Sequence, residues 1–154
     1  MTTLPLLELP MPRVLIVDDT RPNAELLEAH LDGTGYETLI ATNGEDALRD
    51  AVTWKPDVIL LDIMMPKLSG FEVCKRLRAD PVTANVGILM VTALDQPTDI
   101  ERAVEVGTDD FVTRPINKTE LLLRVRALLQ AIPEPTPTDR TLAYFRRVQH
   151  GTLS

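Results

Sequence analysis

Three carboxylates and one hydroxyl stand at the ends of apolar runs in this chain: Asp18 and Asp19 in VLIVDD, Asp62 in DVILLD, and Thr92 in VGILMVT. Carboxylates are hard oxygen donors, and a cluster of them suits a divalent cation. Gathered together without one, they repel: at an effective dielectric of ~20, a pair ~5 Å apart costs roughly 3 kcal/mol. Mg²⁺, with Mn²⁺ as a substitute, prefers a few oxygen ligands, retained waters and a phosphate. Asp19 and Asp62 are the expected direct ligands, and Asp18 acts through water. The backbone carbonyl of Met64 completes the protein's share. An Asp beside such an ion can also be a nucleophile, and Asp62 is the candidate. The Thr92 hydroxyl can donate to one phosphoryl oxygen, and Arg114 can reach another as a cation. The chemistry this set supports is phosphoryl transfer.

The elements that must position these residues alternate along the chain. Apolar runs at 14–17, 58–61 and 87–91 read as strands, with a more polar strand at 37–41 and a short one at 110–113. Helical patterns fall between them, with Thr20, Asn43 and Asn117 as starting caps and Gly107 as a stop. Leu121, Leu122, Val125, Leu128, Leu129 and Ile132 follow the spacing of one buried helix face. Five strands and five helices joined by short loops predict a three-layer α/β/α domain. Right-handed crossovers favour a parallel, flavodoxin-like sheet of order 2-1-3-4-5. Strands one and three are then neighbours at the switch point, where Asp18, Asp19 and Asp62 converge.

Residues 1–12 are expected to be a flexible arm, 13–132 the domain, and 133–154 a proline-rich linker and short tail. PEPTPT reads as extended. Beyond it, Thr141 to His150 is expected to form a short helix showing Leu142, Phe145 and Val148.

Composition narrows the function classes. The 154 residues are 44% hydrophobic and 25% charged, ordinary values for one globular domain. A net charge of −7 argues against a nucleic-acid partner. Cys74 is the single cysteine, which excludes an internal disulfide and a cysteine zinc site. It falls in a predicted helix, where a small core residue is the simplest role. No apolar run is long enough to span a membrane. The N-terminal MTTLPLLELPMP lacks the build of a signal peptide.

The runs VLIVDDTRPN, LLDIMMPKLSGFEVCKRLR, ILMVTAL and GTDDFVTRPI together resemble the response-regulator receiver domain of two-component signalling. The resemblance spans about Arg13 to Ile132. It implies a cytoplasmic phosphoprotein in signal transduction, with Asp62 taking a phosphoryl group from a histidine kinase or histidine phosphotransfer protein. It implies Mg²⁺ at Asp18, Asp19 and Asp62, a Thr92–Phe111 switch pair, and a cis peptide at Pro115. The output is a changed face of helix four, strand five and helix five, read by a downstream protein target. Such a chain is not an enzyme in the usual sense: it forms an aspartyl phosphate and loses it slowly. A monomer or weak homodimer is expected.

Some positions depart from the family. Lys is usual where this chain has Arg114, a longer planar fork. Arg114 can bind phosphate bidentately, overfill the site, or pair permanently with Asp62. Met64 and Leu94, two residues beyond Asp62 and Thr92, cannot orient a hydrolytic water, so a long-lived acyl phosphate is expected. Asp110, Glu120 and Arg124 match charged positions of a symmetric receiver dimer, but their partner positions are the apolar Ile100 and Val106. A second reading is a degenerate receiver acting as a docking module. A third, a haloacid-dehalogenase-type phosphohydrolase, needs Asp-x-Asp, whereas Asp18 and Asp19 are adjacent. A flavin role lacks a phosphate-cradling loop.

Overall fold

The computed structural model describes residues 11–93 and 97–151. Strands and helices alternate as β1 (Arg13–Val17), α1 (Arg21–His30), β2 (Glu37–Ala41), α2 (Gly44–Thr53), β3 (Val58–Asp62), α3 (Gly70–Ala79), β4 (Gly87–Thr92), α4 (Pro97–Val106), β5 (Asp110–Thr113) and α5 (Lys118–Ala131). A further helix, α6 (Pro137–Gln149), follows. All strand pairs are parallel, in the order β2-β1-β3-β4-β5. That is the flavodoxin-like arrangement the apolar runs predict.

Side chains alternate across a strand, so the sheet feeds two cores. Val14, Ile16, Val58, Leu60, Leu89 and Val91 face Leu27 of α1 and Leu121, Val125 and Leu128 of α5. Leu15, Val17, Ile59, Leu61, Ile88 and Met90 face α2, α3 and α4 through Ala47, Val73, Leu77 and Ala103. Every residue of β3 and β4 is buried, as near-continuous apolar strands covered on both sides must be. β2 lies at an edge, where its exposed Glu37 is tolerated.

Helix starts follow local chemistry. The Asn43 side chain accepts from the Asp46 N–H at 2.8 Å, and that of Asn117 from Glu120 at 2.9 Å. Each satisfies a donor that the helix itself leaves orphaned. Thr20 sits at the N-cap of α1 without a side-chain bond, and Pro22 occupies the first turn. Cys74 is fully buried; its thiol donates to the Val106 carbonyl at 3.3 Å, and burial pushes its pKa up to about 11.

The tail departs from expectation. The helix expected over 141–150 is present as α6 but starts earlier, at Pro137, and the proline-rich segment expected to be extended is a short bent connection, 133–136, leading directly into it. Pro137 costs little in a first turn, where its missing N–H has no helical partner. Thr136 accepts from the Asp139 N–H at 3.1 Å, and its hydroxyl donates to the Asp139 carboxylate at 2.9 Å. The inward residue is Tyr144, 4% exposed, whereas Leu142 and Phe145 are exposed. The 1–12 arm lies outside the described residues up to position 10, as does Leu94.

Candidate functional site

β1 and β3 run side by side, with Val17 opposite Leu61. Their carboxyl ends therefore deliver Asp18 and Asp62 to one place, and Asp19 follows. Carboxylate oxygens of all three lie within 4.8 Å of one another. Asp18 is fully buried, Asp62 is 8% exposed, and Asp19 is exposed. Thr92 ends β4 and is buried at 3% exposure. Its carbonyl accepts the Arg114 N–H at 2.8 Å, which fixes the segment after β5 beside the end of β4. The Arg114–Pro115 peptide bond is cis.

The electrostatics divide the carboxylates. Burial raises the Asp62 pKa from 3.8 to about 6; the charges of Asp18 and Asp19 add to the rise, while the Met64 N–H and Arg114 oppose it. The Met64 N–H donates to Asp62 Oδ1 at 3.3 Å. Asp18 is compensated differently. Its Oδ1 accepts the Thr20 N–H at 2.9 Å, and its Oδ2 accepts Arg114 Nη2 at 2.6 Å. Of the three arrangements open to Arg114, the one found is a pair with a carboxylate, but with Asp18 rather than Asp62.

This donor set fits a hard dication. Among the described residues, Asp62 and Asp19 carry no side-chain cation of their own, and both oxygens of Asp18 already hold a donor. Asp18 is thereby suited to hold a metal-bound water through its remaining lone pairs. The Met64 side chain is 64% exposed.

The loop between β3 and α3 is tightly built. The Gly70 N–H donates to the Ile63 carbonyl at 2.9 Å, and a Cβ at Gly70 would lie 2.3 Å from the Asp62 carbonyl oxygen. Only glycine lets the α3 N-terminus approach this closely. Ser69 caps that helix by accepting from Glu72 at 3.3 Å. Phe111 is half-buried against the core under α3 and α4. The side chains sequence reasoning missed are Arg140 and Tyr144 of α6. Thr136-Pro137 followed by Asp139 was the available signal, a hydroxyl cap with an acidic residue three positions on.

The charged face of β5 and α5 is paired within the chain. Arg124 pairs with Asp110 and, at 3.1 Å, with Glu120. The Tyr144 hydroxyl donates to the same Asp110 carboxylate.

Comparisons with known proteins agree with this geometry. A family model, the response regulator receiver domain, matches residues 14–126. The DNA-binding dual master transcriptional regulator RpaA of Synechocystis sp. is 44% identical over 120 residues, covering 78% of this chain and 50% of that protein. The response regulator PleD of Caulobacter vibrioides is 45% identical over 116 residues, 75% of this chain and 26% of its own length. The chain thus spans about half or less of these curated relatives. A putative response regulator from Chloroflexus aurantiacus superposes with a TM-score of 0.75 at 36% identity, covering 79% of this chain and 99% of that one. The Vibrio cholerae chemotaxis protein CheY4 superposes with a TM-score of 0.72 at 32% identity, covering 76% and 98%. With the acidic cluster at the β1/β3 switch point, these likenesses lead to one conclusion: the chain belongs to the response regulator receiver domain family of two-component signal transduction.

Proposed function

We propose that Asp62 accepts a phosphoryl group from the phosphohistidine of a histidine kinase or histidine phosphotransfer protein. The aspartyl phosphate then changes which protein target binds the face of α4, β5 and α5. The observation that carries this reading is the convergence of Asp18, Asp19 and Asp62 within 4.8 Å, with burial raising the Asp62 carboxyl toward neutrality. Receiver domains are signal transducers, and the acceptor reading makes this one a switch rather than an enzyme. Residues 13–132 would be the switching unit. Among the described residues no helix is long and apolar enough to cross a membrane; a cytoplasmic setting belongs to the same proposal and rests on the family.

A carboxylate oxygen of Asp62 attacks phosphorus as the bond to the donor nitrogen breaks, and the imidazole leaves with its electron pair and takes a proton. Asp19, Asp62 and the Met64 carbonyl would hold Mg²⁺, with Asp18 acting through a water, and the ion would supply positive charge toward the phosphoryl oxygens. Thr92 donates its hydroxyl to one oxygen of the new phosphoryl group. Arg114 leaves Asp18 for another, which its reach and planar fork allow. Because Arg114 rests on Asp18, it does not occupy the Asp62 oxygens, which favours the acceptor reading over a degenerate docking module.

Incubation with Mg²⁺ and a small-molecule phosphodonor, followed by intact mass, tests the reading. One phosphoryl adduct is expected, and none in Asp62→Asn. Wild-type protein that gains no adduct would sink it.

A further inference from the structure

The receiver fold is complete at α5, yet α6 is anchored beyond it at three places. Tyr144 is 4% exposed, packs in the core cluster of α5 and donates to Asp110. Arg140, one helical turn earlier on the same face, pairs with Asp109 at 2.8 Å and donates to the Asn85 and Val86 carbonyls at 2.5 and 3.3 Å. Arg147 donates to Gln130 of α5 at 3.0 Å. The anchors are Asp109, just before β5, and Asp110, its first residue, and Arg114 follows its end. Four residue steps along the strand, about 13 Å, separate Asp110 from Arg114.

We infer that α6 is a built-in cover of the β5–α5 edge, docked while Arg114 rests on Asp18 and released when Arg114 turns to a phosphoryl group on Asp62. This rests on the acceptor reading above. Three observations support it. First, α6 uses the Asp110 carboxylate that also pairs with Arg124, so no outside partner can take that group while α6 is docked. Second, β5 is short, lies at the sheet edge and joins both ends of the coupling. A shift of its Arg114 end reaches Asp109 and Asp110 directly. Third, the docking is imperfect: Arg140 Nε is a buried donor without a partner among the described residues. Such a group weakens the docked state and favours release. The surface uncovered is acidic at Asp109 and Asp110 and apolar along α5. It fits a partner helix that presents an arginine and a hydroxyl-bearing aromatic four residues apart, as α6 itself does.

Linkage makes the inference testable in both directions. Beryllofluoride with Mg²⁺ serves as the phosphoryl mimic on the full chain. Amide exchange across 137–149 should quicken by about fivefold or more when it binds. Tyr144→Phe, which keeps the ring and deletes the hydroxyl, should tighten beryllofluoride binding by a comparable factor, read by calorimetry; Arg140→Gln should act the same way. Intact mass after phosphodonor treatment separates the two ideas. No adduct overturns both the acceptor reading and the cover. An adduct with unchanged α6 exchange, or unchanged beryllofluoride affinity in both variants, overturns the cover alone.

Discussion

Arg114 and Asp62 set opposite demands on one cluster. Asp18 has a side chain only 1% exposed, and Arg114 is the cation that compensates it. Truncating one member of a buried pair leaves an uncompensated charge, commonly at a cost of 3–5 kcal/mol. Arg114 is itself partly exposed, so Arg114→Ala should lower the unfolding free energy by about 2–4 kcal/mol without metal, read from urea midpoints. The same change removes a competing cation, so calorimetric Mg²⁺ titration should show tighter binding. Weaker binding would mean that Arg114 positions the ligands rather than competing with the ion. Asp62 behaves in the other sense. Its folded-state pKa is raised from 3.8 to about 6, so the folded protein holds this proton more tightly than the unfolded chain. The penalty is absent below about pH 4, grows as pH rises toward about 6, and is fully present above that. Asp62→Asn should therefore stabilise the metal-free protein above pH 6 by on the order of 2 kcal/mol, and by little near pH 4. Urea denaturation at both pH values checks this; an equal effect at both would exclude Asp62 ionisation as the cause.

At the scale of elements, the approach of α3 to the end of β3 positions the acceptor. A methyl group at Gly70 would meet the Asp62 carbonyl at 2.3 Å and the Ile63 Cα at 2.7 Å, both backbone atoms without freedom to yield. Gly70→Ala should cost about 3 kcal/mol or more and slow adduct formation at Asp62, measured by urea unfolding and intact-mass time courses. A loss of stability with an unchanged rate would separate the helix position from the acceptor geometry. The sequence made much of this architecture readable. Buried parallel strands such as Val58–Leu61 announce themselves as unbroken apolar runs, and Asn43 and Asn117 are caps with a local mechanism. The convergence of Asp18 and Asp62 followed from the expected strand order 2-1-3-4-5, which is one of the few arrangements that right-handed crossovers allow. Two features were not readable. The pairing of Arg114 with Asp18 depends on where the segment after β5 comes to lie against the end of β4, which no spacing reports. The inward turn of Tyr144 depends on Asp110, which is 34 residues away in the chain. The sequence pattern singled out Leu142, Phe145 and Val148, the more apolar side chains, and passed over Tyr144. The site for α6 is instead acidic, and it selects a hydroxyl and a guanidinium.

Considered as a whole, the molecule concentrates an unfavourable term at one end of its sheet. The cluster draws on residues that follow β1 and β3, and its neighbour Arg114 follows β5. Both cores thus meet it: α1 and α5 pack on one sheet face, α2, α3 and α4 on the other. A ligand that relieves the repulsion there stabilises the entire fold, because the unfolded chain has no such cluster to offer. Binding restricted to the folded state adds RT ln(1 + [L]/Kd), about 2.7 kcal/mol at a hundredfold excess over Kd. In a chain of this size each kcal/mol moves the thermal midpoint by about 2–4 °C. Mg²⁺ at that excess should therefore raise the midpoint by about 5–10 °C, read by calorimetric scanning. NaCl at equal ionic strength should give little of this, since general screening acts on the −7 surface and not on the buried pair. Asp62→Asn should keep less than half of the Mg²⁺ response while starting from a higher midpoint, because it has already lost the repulsion the ion would relieve. A wild-type response no larger than that to NaCl would place the stabilisation at the surface and exclude the cluster as a metal site.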